Sequence, residues 1–521
     1  MHCFDHSVWA FLSVLLCLSM TAVSCKDGRL PAEADLSEFR HYVDSLDTLR
    51  LSRHLKILID SDTSSWKADA TVRNHYAASV ASFDGVPLWF TRMGVSEDAD
   101  SLLAFLRREL PSSGLDSVAF FVPQIAEDLM VVHQLAFDSL SQDINVVLAR
   151  LDYRLSKVYV RYTAGMRYGF MRPDRAFNRL MFKPEPDSKD YVRLFDCQVS
   201  SPDYGECLRQ LCSPGRMPFL YASAPDDSLY LALRKMFSQT SDAKQRATLA
   251  VNMERCRWRM PLPEKGEPHV WVNIPSQQLW AVCPDSVLNM RICCGAVTNK
   301  TPLLSSKISY MQVNPDWIVP QTIVKADFLR HAGDTDYFDR NRYYIVDRVS
   351  DDTLNPAEVD GEEMLTGRLR IGQKGGAGNS LGRIVFRFPN DFGVYLHDTN
   401  NREAFKRQRR TLSHGCIRVE KPFELACFLL PSANERTLDR LRLSMDIPPV
   451  TDKGKDYLKN HDNDPRPLRL LSYQEVSPKV PVYLNYFTAY PHPATGVVEF
   501  FPDLYDYDEV VRKNLRAVLF K

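Results

Sequence analysis

From Lys26 to about Met260 the apolar positions recur at helical steps. Ile144, Val147, Leu148, Leu151, Leu155, Val158 and Tyr162 lie three or four apart, which predicts one long amphipathic helix. Ile125, Leu129, Val132, Ala136 and Leu140 repeat the pattern one helix earlier. Both stripes read as core rather than as a cofactor face. Lys183 to Phe219 carries five prolines and reads as loop. Leu249, Met253 and Cys256 close the helical half, and the period then changes to two. Val270 to Ile274 and Leu279 to Val282 predict paired strands across a turn at Pro275 to Gln277. Ile384, Phe386 and Phe388 alternate with Val385 and Arg387, and Gly393 to His397 predicts a further strand ending on the histidine. Pro422 sits where a helix can start, and Pro431 stops it. The polar stretch Ile323 to Ser380 interrupts the strands, with short helical patterns around Phe328 and Tyr337. Pro448 to Pro467 reads as a linker, and Val480 to Phe487 as a last strand.

Composition adds limits rather than a function. The chain has 521 residues, enough for two or three domains. Lys+Arg 65 balances Asp+Glu 65, so nothing global points to a nucleic-acid partner. Val8 to Val23 is apolar and shorter than the ~20 residues of a spanning helix, which predicts an export signal over residues 1–24. Its n-region, Met1 to Ser7, has no Lys or Arg. Ala22-Val23-Ser24-Cys25 fits ordinary signal cleavage. It also resembles a bacterial lipobox, and the expectation is a lipidated Cys25 on a periplasmic, membrane-anchored envelope protein. Spacing alone assigns no disulfide among the other cysteines.

The chemistry concentrates in Tyr395 to Val419. His397 precedes Ser413-His414-Gly415-Cys416-Ile417-Arg418. A free thiol has a pKa of ~8.5, so it needs a base to attack near neutral pH, and an imidazole can take its proton. A glycine before the cysteine lets the backbone bend and aim N–H groups at an oxyanion. If this piece is extended, Arg418 shares a face with Cys416 and His414, where a guanidinium could clamp a carboxylate. A zinc site from His397, His414 and Cys416 is an alternative, but it lacks an obvious fourth ligand. A papain-like order is reversed here, with the histidine first. Arg402, Lys406, Arg407, Arg409 and Arg410 are either a solvated face or an attractor of peptide carboxylates.

This signature resembles that of the YkuD-type L,D-transpeptidases, closest to their large YcbB-like group, from about Val86 to Asp503. The resemblance implies a multidomain α+β protein. A helical scaffold (25–260) would precede a mainly β catalytic domain (261–447) with a capping insertion (323–380). A linker and closing strand would follow (448–521). A peptidoglycan-binding module is at most degraded, at Asp226 to Leu249. Cys416 would attack a tetrapeptide stem of peptidoglycan, release D-alanine as a thioester forms, and pass the acyl group to an acceptor amine as a 3→3 cross-link. His397 would be the base and Asp398 its orienter through the backbone carbonyl. His414 and Gly415 would shape the oxyanion pocket. Arg418, Ser413, Trp317 and Tyr395 would line the substrate site. No metal or other cofactor is implied. A carboxypeptidase using water, or an idle envelope scaffold, are the other expectations.

Overall fold

The computed structural model describes residues 44–82, 87–91, 94–137, 142–178, 193–461 and 468–519. The expected export signal and Cys25 lie outside these, as does Leu140. The chain forms two compact units. One takes the described residues up to Phe170, then Ser201–Asp226 and the end from Leu515; the other takes Met171–Ser200 and Asp227–Asn514.

The first unit is helical and is built on Ile144–Tyr168. Asp143 caps this helix by accepting the Asn145 N–H, and Gly169 ends it at φ +81°. From Val147 to Tyr162 the expected stripe is buried, each large side chain contributing about 1.5–3 kcal/mol. Thr48–Ser61, Lys67–Ser82 and Val122–His133 pack around it. The preceding stripe stops at His133, because Gln134 and then Leu135, at φ +50°, leave the helix before Ala136. Buried charges on the long helix are paired. Lys157 Nζ lies 2.8 Å from Asp62 and 3.3 Å from Asp69, and Arg161 also pairs with Asp69. Burial pushes the Asp152 carboxyl up to about 6, opposed by donors from Tyr76 and from the Trp89 and Leu88 N–H groups.

Part of the expected loop between 183 and 219 is helical, Tyr204–Leu211 and Arg216–Tyr221. Asp203 caps the first, and Pro218 falls in the first turn of the second, where a missing N–H costs nothing. Ser228–Gln239 and Ala243–Arg257, expected in the scaffold, belong to the second unit.

The second unit is a ten-stranded sheet. Its order runs through Ile384–Arg387, Leu396–His397, Ile417–Val419, Ser286–Gly295, Gln278–Cys283, His269–Asn273, Tyr473–Asn485 and Leu303–Val313. Leu303–Val313 also pairs with Ile384–Arg387, so these strands close into a ring. The thirteen-residue Tyr473–Asn485 therefore lies inside the sheet, parallel to His269–Asn273 and antiparallel to Leu303–Val313. The expected linker contains a helix, Asp452–Asn460, capped by Thr451.

The insertion is more ordered than its polarity suggests. It has a four-stranded sheet of its own, Thr353–Leu354, Tyr343–Asp347, Leu369–Gln373 and Trp317–Ile318. Val324, Phe328, Phe338, Ile345, Met364 and Ile371 form its core. It begins at Trp317, before the expected Ile323. Its Gly375 is tied down on both sides. The Gly375 N–H donates to Asp316 at 2.7 Å, and its carbonyl accepts from Arg342 at 2.7 Å and Arg469 at 2.9 Å.

Candidate active site

Three short strands bring the site together. Leu396–His397 runs parallel to Ile417–Val419, with His397 opposite Arg418. On its other side it runs antiparallel to Ile384–Arg387, with Val385 opposite His397. Cys416 enters this arrangement on the bend His414-Gly415-Cys416 between two strands. Gly415 has φ +115°, a conformation that side chains rarely adopt.

The bend is fastened by hydroxyls. Ser413 Oγ donates to the Cys416 carbonyl at 2.5 Å and accepts the Gly415 N–H at 3.2 Å. Thr301 Oγ1 donates to the Gly415 carbonyl at 2.8 Å and accepts the Gly295 N–H at 2.9 Å. Tyr505 in turn donates to the Gly295 carbonyl at 2.7 Å and accepts the Thr301 N–H at 3.2 Å. Thr301 and Tyr505 escaped the sequence reading, because lone hydroxyls far along the chain carry no spacing signal.

The bend also breaks the extended alternation assumed for residues 414–418. His414 turns outward, its side chain 44% exposed and its Nε2 3.9 Å from the Asp327 carboxylate of the insertion. It does not share a face with Arg418, which keeps its strand register. The Gly415 N–H is taken by Ser413 Oγ, so Gly415 contributes the shape of the bend rather than an open donor.

Around the sulfur the structure gathers Tyr395, Arg387 and Arg418, and His397 stands behind Tyr395. The Tyr395 phenol meets Cys416, and the Trp317 indole reaches the same phenol. The Tyr395 and His397 rings stand edge to face with centroids 5.7 Å apart. The Arg387 guanidinium lies over the Tyr395 ring, 4.2 Å from its centroid. Cys416 Sγ lies 3.9 Å from the Gly393 carbonyl.

Burial pushes the Cys416 thiol above its usual 9.0, opposed by Tyr395 and by the Arg387 and Arg418 charges. Burial, and then the Arg418 cation, push the His397 imidazole from 6.5 down to about 3. The Asp398 and Leu381 carbonyls favour its protonated form, but neither closes a hydrogen bond to Nδ1, which is buried without a partner. The resting pair is thus a thiol and a neutral imidazole, not an ion pair.

The Asp398 carboxylate turns away from the ring. It accepts the Arg383 N–H at 2.9 Å and an Arg402 Nη2 bond at 2.9 Å. Most of the basic run is a solvated face, with Arg402, Lys406, Arg407 and Arg409 exposed and only Arg410 buried. Arg402 holds Asp398, and buried Arg410 donates to the Ile292, Arg407 and Gln277 carbonyls at 2.9, 2.9 and 3.0 Å.

Sequence comparisons agree with this geometry. Residues 267–437 match a model of the L,D-transpeptidase catalytic domain, called YkuD, and residues 70–236 match a scaffold-domain model. A Haemophilus influenzae protein named "Putative L,D-transpeptidase" is 31% identical over 303 residues, covering 57% of this chain and 56% of that protein. The chain thus spans about half the length of this curated relative. Its second unit carries a YkuD-type L,D-transpeptidase catalytic domain.

Proposed function

We propose that the protein is a cysteine-dependent L,D-transpeptidase that joins peptidoglycan stems by 3→3 cross-links. Cys416 Sγ attacks the carbonyl before the terminal D-alanine of a donor tetrapeptide. The thiol proton passes to His397, a thioester forms and D-alanine leaves carrying that proton. The amine of a second stem then attacks the thioester, and the thiol returns. The observation that carries this reading is a thiol on a hydroxyl-fastened bend, touched by the Tyr395 phenol, whose ring meets a buried, neutral imidazole in the adjoining strand. A neutral imidazole can accept a proton when substrate arrives, as general-base catalysis needs.

The outward His414 beside Asp327 supports a capping role for the insertion, which would keep water from the thioester. Export and a lipid anchor at Cys25 belong to the same proposal, since the substrate lies in the cell envelope. Mass spectrometry of the protein with a tetrapeptide stem tests the core of it. The wild type should gain an acyl mass on Cys416 and release D-alanine, and Cys416→Ser should gain none. An adduct on the Cys416→Ser protein overturns the assignment.

A further inference from the structure

Arg387 is the one residue at the sulfur that neither the motif nor the fold accounts for. It sits in the strand Ile384–Arg387, outside the His397…Cys416 signature. Its Nε donates to Gln312 Oε1 at 2.9 Å, and its guanidinium rests on the Tyr395 ring. Among the described residues no carboxylate lies within ion-pair distance of it. The second cation of the pocket, Arg418, is in the same condition, with its Nε buried and without a partner. Two other arginines of the same unit are matched by carboxylates, whereas its Arg410 spends its donors on backbone carbonyls. Arg442 meets Asp439 at 2.8 Å, and Arg255 meets Asp508 at 2.6 Å. Two unmatched guanidiniums flanking one nucleophile leave a site short of negative charge, and a planar fork of N–H donors is the group that best binds a carboxylate.

We propose that Arg387 is a specificity-determining residue that binds the C-terminal carboxylate of the donor peptide beside Cys416. This rests on the transpeptidase reading above. The guanidinium is already oriented by Gln312 and Tyr395, so little side-chain entropy is lost when the carboxylate arrives. Its outer nitrogens are left for the ligand.

Two alkylating agents test this without relying on the reaction. Iodoacetate and iodoacetamide both alkylate Cys416, forming the S–C bond as iodide leaves, and they differ in a carboxylate. Both draw on the same thiolate, so the ratio of their rates cancels any effect on thiol ionisation. The ratio for Cys416 should exceed that for a free cysteine peptide, fall about tenfold in Arg387→Met, and recover in part in Arg387→Lys. An unchanged ratio in Arg387→Met overturns the proposal, including the case where both rates fall together because Arg387 acts only on the thiol. A second arm compares a free-acid donor tetrapeptide with its C-terminal amide. Arg387→Met should lower acylation by the free acid about tenfold more than acylation by the amide, the ratio again cancelling any effect on the thiol; equal losses overturn the proposal. If the wild type acylates with neither donor, the transpeptidase reading fails, while the alkylation ratio still decides whether Arg387 binds a carboxylate.

Discussion

The stretch of the long helix facing Asp62 and Asp69 and the Cys416 pocket treat buried charge in opposite ways. Only Arg167, at the helix end, resembles the pocket, with its Nε unpartnered among the described residues and its guanidinium 4.7 Å from the Phe219 centroid. On the helix, Lys157 and Arg161 are met by Asp62 and Asp69, and Asp152 receives three donors. In the pocket, His397 Nδ1 and Arg418 Nε are buried without partners, and Arg387 has a ring where a carboxylate would be expected. An unsatisfied buried polar group costs about 1–3 kcal/mol. A fold that satisfies such groups in one place and leaves them open in another has spent stability where a ligand must complete the pattern.

The sharpest test of this contrast is to remove one group from each side. His397→Ala should slow acylation of Cys416 by about 10²–10⁴-fold while leaving the thermal midpoint nearly unchanged. Asp398→Asn should change acylation little, because that carboxylate holds Arg383 and Arg402 rather than the imidazole. Equal losses in stopped-flow acylation would make the carboxylate a working partner of the ring. On the helix, Asp69→Ala strands Lys157 and Arg161, and should cost about 3–5 kcal/mol in the denaturant transition of that unit. A loss under about 1 kcal/mol would show that the pairing there is not structural.

The third test uses pH. The His397 pKa is depressed in the fold, from 6.5 to about 3, so its neutral form stabilises the native state above 6.5. Below 6.5 the unfolded chain binds a proton that the folded chain refuses, and stability falls until about pH 3. At pH 4 the loss should reach about 3 kcal/mol. Denaturant midpoints at pH 7 and pH 4 should therefore differ less in His397→Gln than in the wild type. Gly415→Ala should have the smallest effect. The nearest atoms to an added Cβ are 3.7 Å away, so only the φ of +115° opposes it. Backbone strain of about 1–3 kcal/mol should appear in the thermal midpoint.

Much of this was legible in the sequence, and the gaps have physical causes. The stripe from Val147 to Tyr162 and the hairpin around Pro275 were readable because burial on one face imposes a strict period. The helix Pro422–Leu429 began at its proline as expected. Tyr204–Leu211 and Asp452–Asn460 were hidden because two turns are too short for a period, and only a cap betrays them. The insertion's sheet was hidden because its polar surface residues outnumber a small core. Cys416 and His397 were visible as a motif, and Arg418 does lie near Cys416, but His414 departs from the expected face because Gly415 bends the chain at positive φ after it. Arg387 entered the sequence reading only as one member of an alternating strand, and its seat on Tyr395 is what distinguishes it.

The strand Tyr473–Asn485 gives the molecule an order in time. It follows Cys416 in the chain, yet its place is between His269–Asn273 and Leu303–Val313, which are made far earlier. Until it arrives, those two strands stand apart with bare edges, and the ring that steadies the short strands carrying His397 and Arg418 stays open. The ring of the second unit therefore cannot close before that strand is made. Cys416 is made before the strand that closes the ring around it, and a fragment ending where the catalytic-domain match ends, at residue 437, lacks that strand.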